Sequence, residues 1–203
     1  MEFIYSFFIT FCMIFFSELG DKTQLLVLSF STQNKTKNIL LGVAIGTFFS
    51  HGIAILFGSK ISYFSDTKFQ VYLKILTYIS FIILGMLELI FREETNHLKN
   101  ESKLFQKILN SRLNYIFIIA ISIMLGELGD KTLLASLGIG IQYPNHKFSL
   151  ILGSISGMVL SNSVAIFFGK FIKNHLKQNT MKFLSSFLFI VFGLIGLIFL
   201  LVK

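Results

Sequence analysis

Long apolar runs alternate with short polar breaks along the whole chain. Six of these runs reach the roughly 20 residues needed to cross a hydrocarbon core about 30 Å thick. They cover residues 3–30, 39–59, 71–91, 113–140, 148–171 and 181–202. The first and fourth are the longest, which fits a tilted or locally interrupted helix. The pattern predicts an all-α membrane protein with six transmembrane helices.

The runs also repeat. Leu41-Gly42, Ser50-His51 and Phe57-Gly58 align with Leu152-Gly153, Ser161-Asn162 and Phe168-Gly169, and Phe81-Ile82-Ile83-Leu84-Gly85 aligns with Phe189-Ile190-Val191-Phe192-Gly193. Residues 1–91 and 113–203 therefore read as two three-helix repeats joined by a polar linker, 92–112. Three spans is an odd number, so the second repeat enters from the opposite side. Such inverted repeats build sites at the midplane, where the halves meet.

Composition agrees with this class. Of 203 residues 54% are hydrophobic, 25 are Phe, only 14% are charged, and mean hydropathy is +0.75. A soluble domain of this length has too little interior for that much apolar surface, so the bilayer serves as solvent. Cys12 is the single cysteine and lies in an apolar run, so it reads as a packing residue. No His/Cys cluster supports zinc or iron–sulfur chemistry.

The net charge of +8 sits in the loops, which is a topology signal rather than a nucleic-acid surface. Eleven of the Lys and Arg residues fall on the face of the 92–112 linker and five on the other. The linker is thus expected in the cytoplasm and both termini outside. Nothing in the first run reads as a cleaved signal peptide.

Against this apolar background one hexapeptide stands out. Glu18-Leu19-Gly20-Asp21-Lys22-Thr23 recurs 109 residues later as Glu127-Leu128-Gly129-Asp130-Lys131-Thr132. An ionisable group at bilayer depth costs a few kcal/mol or more and normally marks an ion or substrate pathway. Glu18 lies about 15 residues into its run and Glu127 about 14, so at roughly 1.5 Å per residue both reach the bilayer centre. On a helix Glu18, Asp21, Lys22 and Leu25 share a stripe, as do Glu127, Asp130, Lys131 and Leu134, and both stripes are expected to face the bundle interior.

Four carboxylates with Thr23, Thr132 and Gln24 make an oxygen-rich set suited to a hard divalent cation such as Mn²⁺ or Ca²⁺. Gly20 and Gly129 weaken the helix between the acids, and unwinding there frees carbonyls as further ligands. Lys22 and Lys131 partly neutralise the empty site. Crowded carboxylates in a low dielectric favour their neutral form, so protons compete with the metal. A site that holds either protons or a cation is the minimum needed for exchange.

Ser50, His51, Ser161 and Asn162 occupy matching places in the second and fifth runs. They read as pathway residues or as interhelical hydrogen-bonding groups, with about even weight on each. Glu88 reads as a solvated helix end. Gly42, Gly46, Gly153 and Gly157 form two Gly-xxx-Gly pairs suited to close helix packing. The bland alternative for the motif is intrahelical pairing of Glu18 with Lys22 and Glu127 with Lys131. Such pairs contribute only a few tenths of a kcal/mol in water, too little to offset their burial.

At these residues the chain resembles the GDT-type cation–proton exchangers, formerly uncharacterised protein family 0016. Their mark is two copies of Glu-x-Gly-Asp-(Lys/Arg)-(Ser/Thr). Both copies match in full, and the resemblance covers essentially the whole chain. It implies proton-coupled transport of Mn²⁺ or Ca²⁺ out of the cytoplasm, with Glu18, Asp21, Glu127 and Asp130 as cation ligands beside Thr23 and Thr132. Many members carry Gln after the Ser/Thr. Here that is Gln24 in the first copy but Leu133 in the second, leaving the second copy one polar group short.

No targeting extension of the kind seen in organellar members precedes the first run. This points to a bacterial plasma membrane, with a thylakoid or other plastid membrane as the alternative. The expected partners are the cation, protons and lipid, with no nucleic acid, no resident cofactor, and a homo-oligomer compatible with the pattern. Two other readings are an exporter of a cationic organic solute and a non-transporting assembly or sensor protein. An intramembrane hydrolase would need a nucleophile or a His-Glu-x-x-His pair, and the chain has neither, so no enzyme is expected.

Overall fold

The computed structural model describes residues 2–19, 21–31, 34–90, 114–175 and 178–202. The linker 92–112, Gly20 and the side chains of Lys22, Leu25 and Glu88 lie outside the described residues. All described elements are helices, with no strand among them. In chain order they are α1 (Glu2–Glu18), α2 (Lys22–Ser31), α3 (Thr36–Thr47), a π-helical turn (Phe48–Gly52), α4 (Ile53–Tyr63) and α5 (Thr67–Ile90). Then come α6 (Tyr115–Gly126), α7 (Lys131–Gln142), a 3₁₀ turn (Pro144–His146), α8 (Lys147–His175) and α9 (Gln178–Leu201).

Four stretches are long and apolar enough to cross a membrane: Thr36–Tyr63, Thr67–Leu87, Pro144–Phe167 and Phe183–Leu200. The first of these joins α3, the π-turn and α4 end to end. The other two predicted runs are each divided at the motif, into α1 and α2 and into α6 and α7.

Backbone geometry explains the break in the second motif. Gly129 has φ +81, a left-handed conformation that L-residues with side chains rarely adopt. Asp130 beyond it is extended, with ψ 159, before α7 begins. One consequence corrects the sequence reading. Glu18 and Asp21 do not share a stripe with Lys22 and Leu25 on one continuous helix, nor Glu127 and Asp130 with Lys131 and Leu134. In each motif the Glu closes one helix and the Asp precedes the next.

The helices interlock across the two halves of the chain. α1 lies along α8, α3 along α6, α4 along α7, and α5 along α9. The first run of each half therefore packs on the second run of the other. Glycine permits the closeness. A Cβ at Gly46 would lie 2.6 Å from the Ala120 carbonyl oxygen, and one at Gly157 2.8 Å from that of Phe11. Gly85 and Gly193 do the same for the α5–α9 pair, where added Cβ atoms would meet the Ser186 and Tyr78 carbonyls at 2.7 Å. Backbones this close gain dispersion contacts, the main source of helix association where lipid removes any hydrophobic drive.

Both buried apolar clusters draw on both halves. One gathers Ile14, Val27 and Val43 with Ile119, Ile123 and Met158. The other gathers Met13, Ile55 and Phe81 with Ile139, Leu150 and Phe189. Outside, large apolar side chains such as Phe64, Phe148 and Phe199 stand exposed, as suits an integral membrane protein with lipid for solvent.

Candidate functional site

Two helix breaks meet in the interior. Glu18, the last residue of α1, is fully buried, and Glu127, which caps the C-terminus of α6, is 1% exposed. Asp130 stands at the start of α7 with no capping bond from its own side chain. Glu18, Glu127 and Asp130 each offer a carboxylate oxygen, and the three oxygens lie within 4.8 Å of one another. Acids from both halves thus share one small volume, with the first turn of α7 opening at its edge. The positive end of a helix dipole there favours negative charge.

The threonines tie each break together in the same way. Thr23 Oγ1 donates to Glu18 Oε2 at 3.0 Å, and Thr132 Oγ1 donates to Glu127 Oε2 at 3.0 Å. Thr132 also lies 3.2 Å from Asp130 Oδ2. The backbones agree as well: Asp21 N–H bonds to the Glu18 carbonyl and Asp130 N–H to that of Glu127.

Lys131 reaches across the halves, with Nζ 3.9 Å from Asp21 Oδ2. The motif lysine thus serves the other copy's aspartate, a pairing the intrahelical alternative does not contain.

The remaining predicted positions divide. His51 is fully buried, with Nε2 3.8 Å from Glu127 Oε2 and Nδ1 3.0 Å from Ser50 Oγ. Gln24 turns to α8, donating from Nε2 to Ser161 Oγ at 2.7 Å and to the Ser161 carbonyl at 3.1 Å. Asn162 donates back into its own helix, to the Met158 carbonyl at 2.9 Å. Ser161 and Asn162 thus bond to helices here, whereas His51 approaches Glu127 and Ser50 bonds His51.

The sequence reading passed over Ser136. It stands one turn beyond Thr132 on α7, buried and with no hydrogen-bond partner for its hydroxyl. Its i+4 spacing from Thr132 was the available signal.

Several buried atoms at the centre lack hydrogen bonds: Glu18 Oε1, Glu127 Oε1, His51 Nε2 and Asn162 Oδ1. An unsatisfied carboxylate oxygen in a low-dielectric interior is costly unless a proton or a cation meets it. The arrangement can therefore bind a small cation directly or be neutralised by protons.

The model of the family described as divalent cation/proton antiporter GDT1 matches residues 6–96 and 115–201. A Vibrio cholerae protein named "Putative manganese exporter" is 25% identical over 179 residues, covering 88% of this chain and 83% of its own. "GDT1-like protein 2, chloroplastic" of Oryza sativa subsp. japonica is 24% identical over 204 residues. That alignment covers 90% of this chain and 58% of the rice protein. No solved structure matches.

Proposed function

The chain belongs to the GDT1 family of divalent cation/proton antiporters, and we propose that it exports Mn²⁺ from the cytoplasm in exchange for protons, with Ca²⁺ the second choice of cargo. The observation that carries this reading is the meeting of Glu18, Glu127 and Asp130 within 4.8 Å, with buried carboxylate oxygens left unsatisfied. Oxygen donors at this density fit a hard divalent ion, which completes its shell with backbone carbonyls and water. The name of the Vibrio cholerae relative supports manganese over calcium.

In this reading Glu18, Asp21, Glu127 and Asp130 bind the ion, with Thr23 and Thr132 holding the glutamates in place. Lys131 offsets part of the charge through Asp21. Gln24, expected as a ligand, positions α2 against α8 through Ser161. The cation and the protons are mutually exclusive occupants, because each neutralises the same carboxylates. Exclusion at one site, alternately open to either side, gives exchange.

The chain forms two inverted three-span repeats, 1–91 and 113–203, with α1–α2 and α6–α7 as broken spans whose ends meet at the midplane. The reciprocal pairing of each half's first run with the other's second supports this. The linker 92–112 lies in the cytoplasm and the termini outside, in a bacterial plasma membrane or a plastid membrane.

Flux in proteoliposomes under an imposed pH gradient tests the proposal, comparing the native chain with Glu18→Gln and Glu127→Gln. The expected result is Mn²⁺ movement driven by the gradient and abolished by either substitution. A well-folded native chain that moves neither Mn²⁺ nor Ca²⁺ overturns it, and flux untouched by both substitutions removes these acids from the mechanism.

A further inference from the structure

The two halves present different residues beside their acids, and the difference is chemical. At one position of the repeat stands His51, and at its counterpart Asn162. Their backbones differ too. His51 lies in the π-helical turn Phe48–Gly52, whereas Asn162 lies within the regular helix α8. π-turns inside α-helices are rare and concentrate at functional sites.

The hydrogen bonds around His51 accommodate the tautomer that leaves Nε2 bare. Ser50 Oγ lies 3.1 Å from the Gly46 carbonyl oxygen, a group that can only accept. A hydroxyl that donates there accepts from His51 Nδ1–H at 3.0 Å. Nε2 is then the bare nitrogen. It is buried, has no hydrogen-bond partner, and lies 3.8 Å from Glu127 Oε2.

This is the arrangement of metal-binding histidines, in which an outer acceptor on one ring N–H orients the lone pair of the other nitrogen. Two donors on one ion at about 2.1–2.6 Å each stand no more than about 4–5 Å apart. The Nε2–Glu127 spacing falls within that reach, and 3.8 Å is too long for a direct hydrogen bond.

We infer that His51 is a nitrogen ligand at the Glu127 edge of the cation site and is the group that sets preference for a transition-metal ion over Ca²⁺. This rests on the transport reading above. Ca²⁺ fills its shell with six to eight oxygens and gains little from imidazole. Mn²⁺ accepts a nitrogen, and Co²⁺ and Zn²⁺ do so more strongly. Ser50 acts as a positioning residue that keeps Nε2 unprotonated and facing the site.

Pulsed electron paramagnetic resonance on the full chain in detergent, loaded with Mn²⁺ alone, reads the ligand directly. Nitrogen modulation is expected from the native protein, changing from ¹⁴N to ¹⁵N when only histidine is labelled. It is expected to vanish in His51→Asn, which copies the counterpart residue, and to persist in His146→Asn. In proteoliposomes His51→Asn is expected to lower the preference for Mn²⁺ over Ca²⁺ roughly tenfold, the scale of lost metal-site interactions.

Mn²⁺ transport without histidine modulation in the native chain overturns the inference and leaves the transport reading standing. So does modulation that survives His51→Asn. A native chain that neither binds nor moves Mn²⁺ overturns both. Where His51→Asn fails to fold, labelling the native protein shows whether a histidine ligates, and modulation that survives His97→Asn, His146→Asn and His175→Asn assigns it to His51.

Discussion

Thr23 closes the helix break of the first half onto Glu18 at the same 3.0 Å with which Thr132 closes that of the second half onto Glu127. Around this shared center the halves diverge. The first continues into Gln24, which crosses to Ser161 on α8, while the second has Leu133 at that place. The α3–α4 span brings His51 to Glu127 on a π-turn, whereas α8 keeps Asn162 bonded to its own backbone. What repeats is the acid–threonine core, which any cation needs. What differs are the neighbours, and on the proposal above they tune which cation is preferred.

The comparison breaks most severely at its packing base. Gly46 and Gly157 hold matching crossings, where an added Cβ meets a carbonyl oxygen at 2.6 and 2.8 Å. Gly46→Leu and Gly157→Leu are each expected to destabilise the chain by about 3 kcal/mol or more, since overpacking against backbone cannot relax cheaply. Thermal unfolding in detergent, followed by size-exclusion chromatography, checks this. Similar losses in both halves uphold the matched architecture, and a tolerated leucine in one half breaks it.

Lys131→Met comes next. It removes a partner of Asp21 from the other half, at a site where Lys131 is 19% and Asp21 7% exposed. Exposure and the 3.9 Å separation moderate the loss. Transport is expected to fall about tenfold, on the scale of one lost interaction of a partly buried charge. Apparent Mn²⁺ affinity measured with a flux assay decides: no change would mean that the cross-half pair is incidental.

A smaller effect belongs to Gln24→Leu, which gives the first half the second half's residue. Buried interhelical hydrogen bonds in membrane proteins contribute about 0.6–1.7 kcal/mol, so a loss of about 1 kcal/mol is expected. On the proposed role of Gln24 at the α8 contact, ion selectivity is expected to stay as it was. A selectivity change in Gln24→Leu would return it to the ligand set.

Much of this was legible in the chain. Glycine between two acids in an apolar run announces a weak point, and both motif runs are divided there. Gly42, Gly46, Gly153 and Gly157 announced close crossings at helical spacing, and each sits against a facing helix. Partner choice across the halves was not legible. Lys131 is four residues from Glu127, so spacing alone suggests a local pair, whereas the break turns it towards Asp21. The π-turn at 48–52 leaves no mark in Phe-Phe-Ser-His-Gly, because its register depends on what the surrounding helices accept. His51 and Asn162 therefore looked alike by position, although His51 lies beside Glu127 and Asn162 bonds its own helix.

The threonine pair is the finest probe of the symmetry. Thr23→Val and Thr132→Val both delete a hydroxyl from a buried carboxylate while keeping side-chain shape. A buried hydrogen bond to a charged group contributes about 1.5–3 kcal/mol, less where the acid can take a proton instead. Thr132 donates within reach of two acids, Glu127 and Asp130, whereas among the described residues Thr23 meets Glu18. Thr132→Val is therefore expected to raise the Mn²⁺ concentration for half-maximal flux several-fold, and Thr23→Val by less. Equal shifts would mean that each threonine acts only on its own glutamate. A larger shift in Thr23→Val would place the dominant ligand in the first half and reverse the asymmetry built around His51.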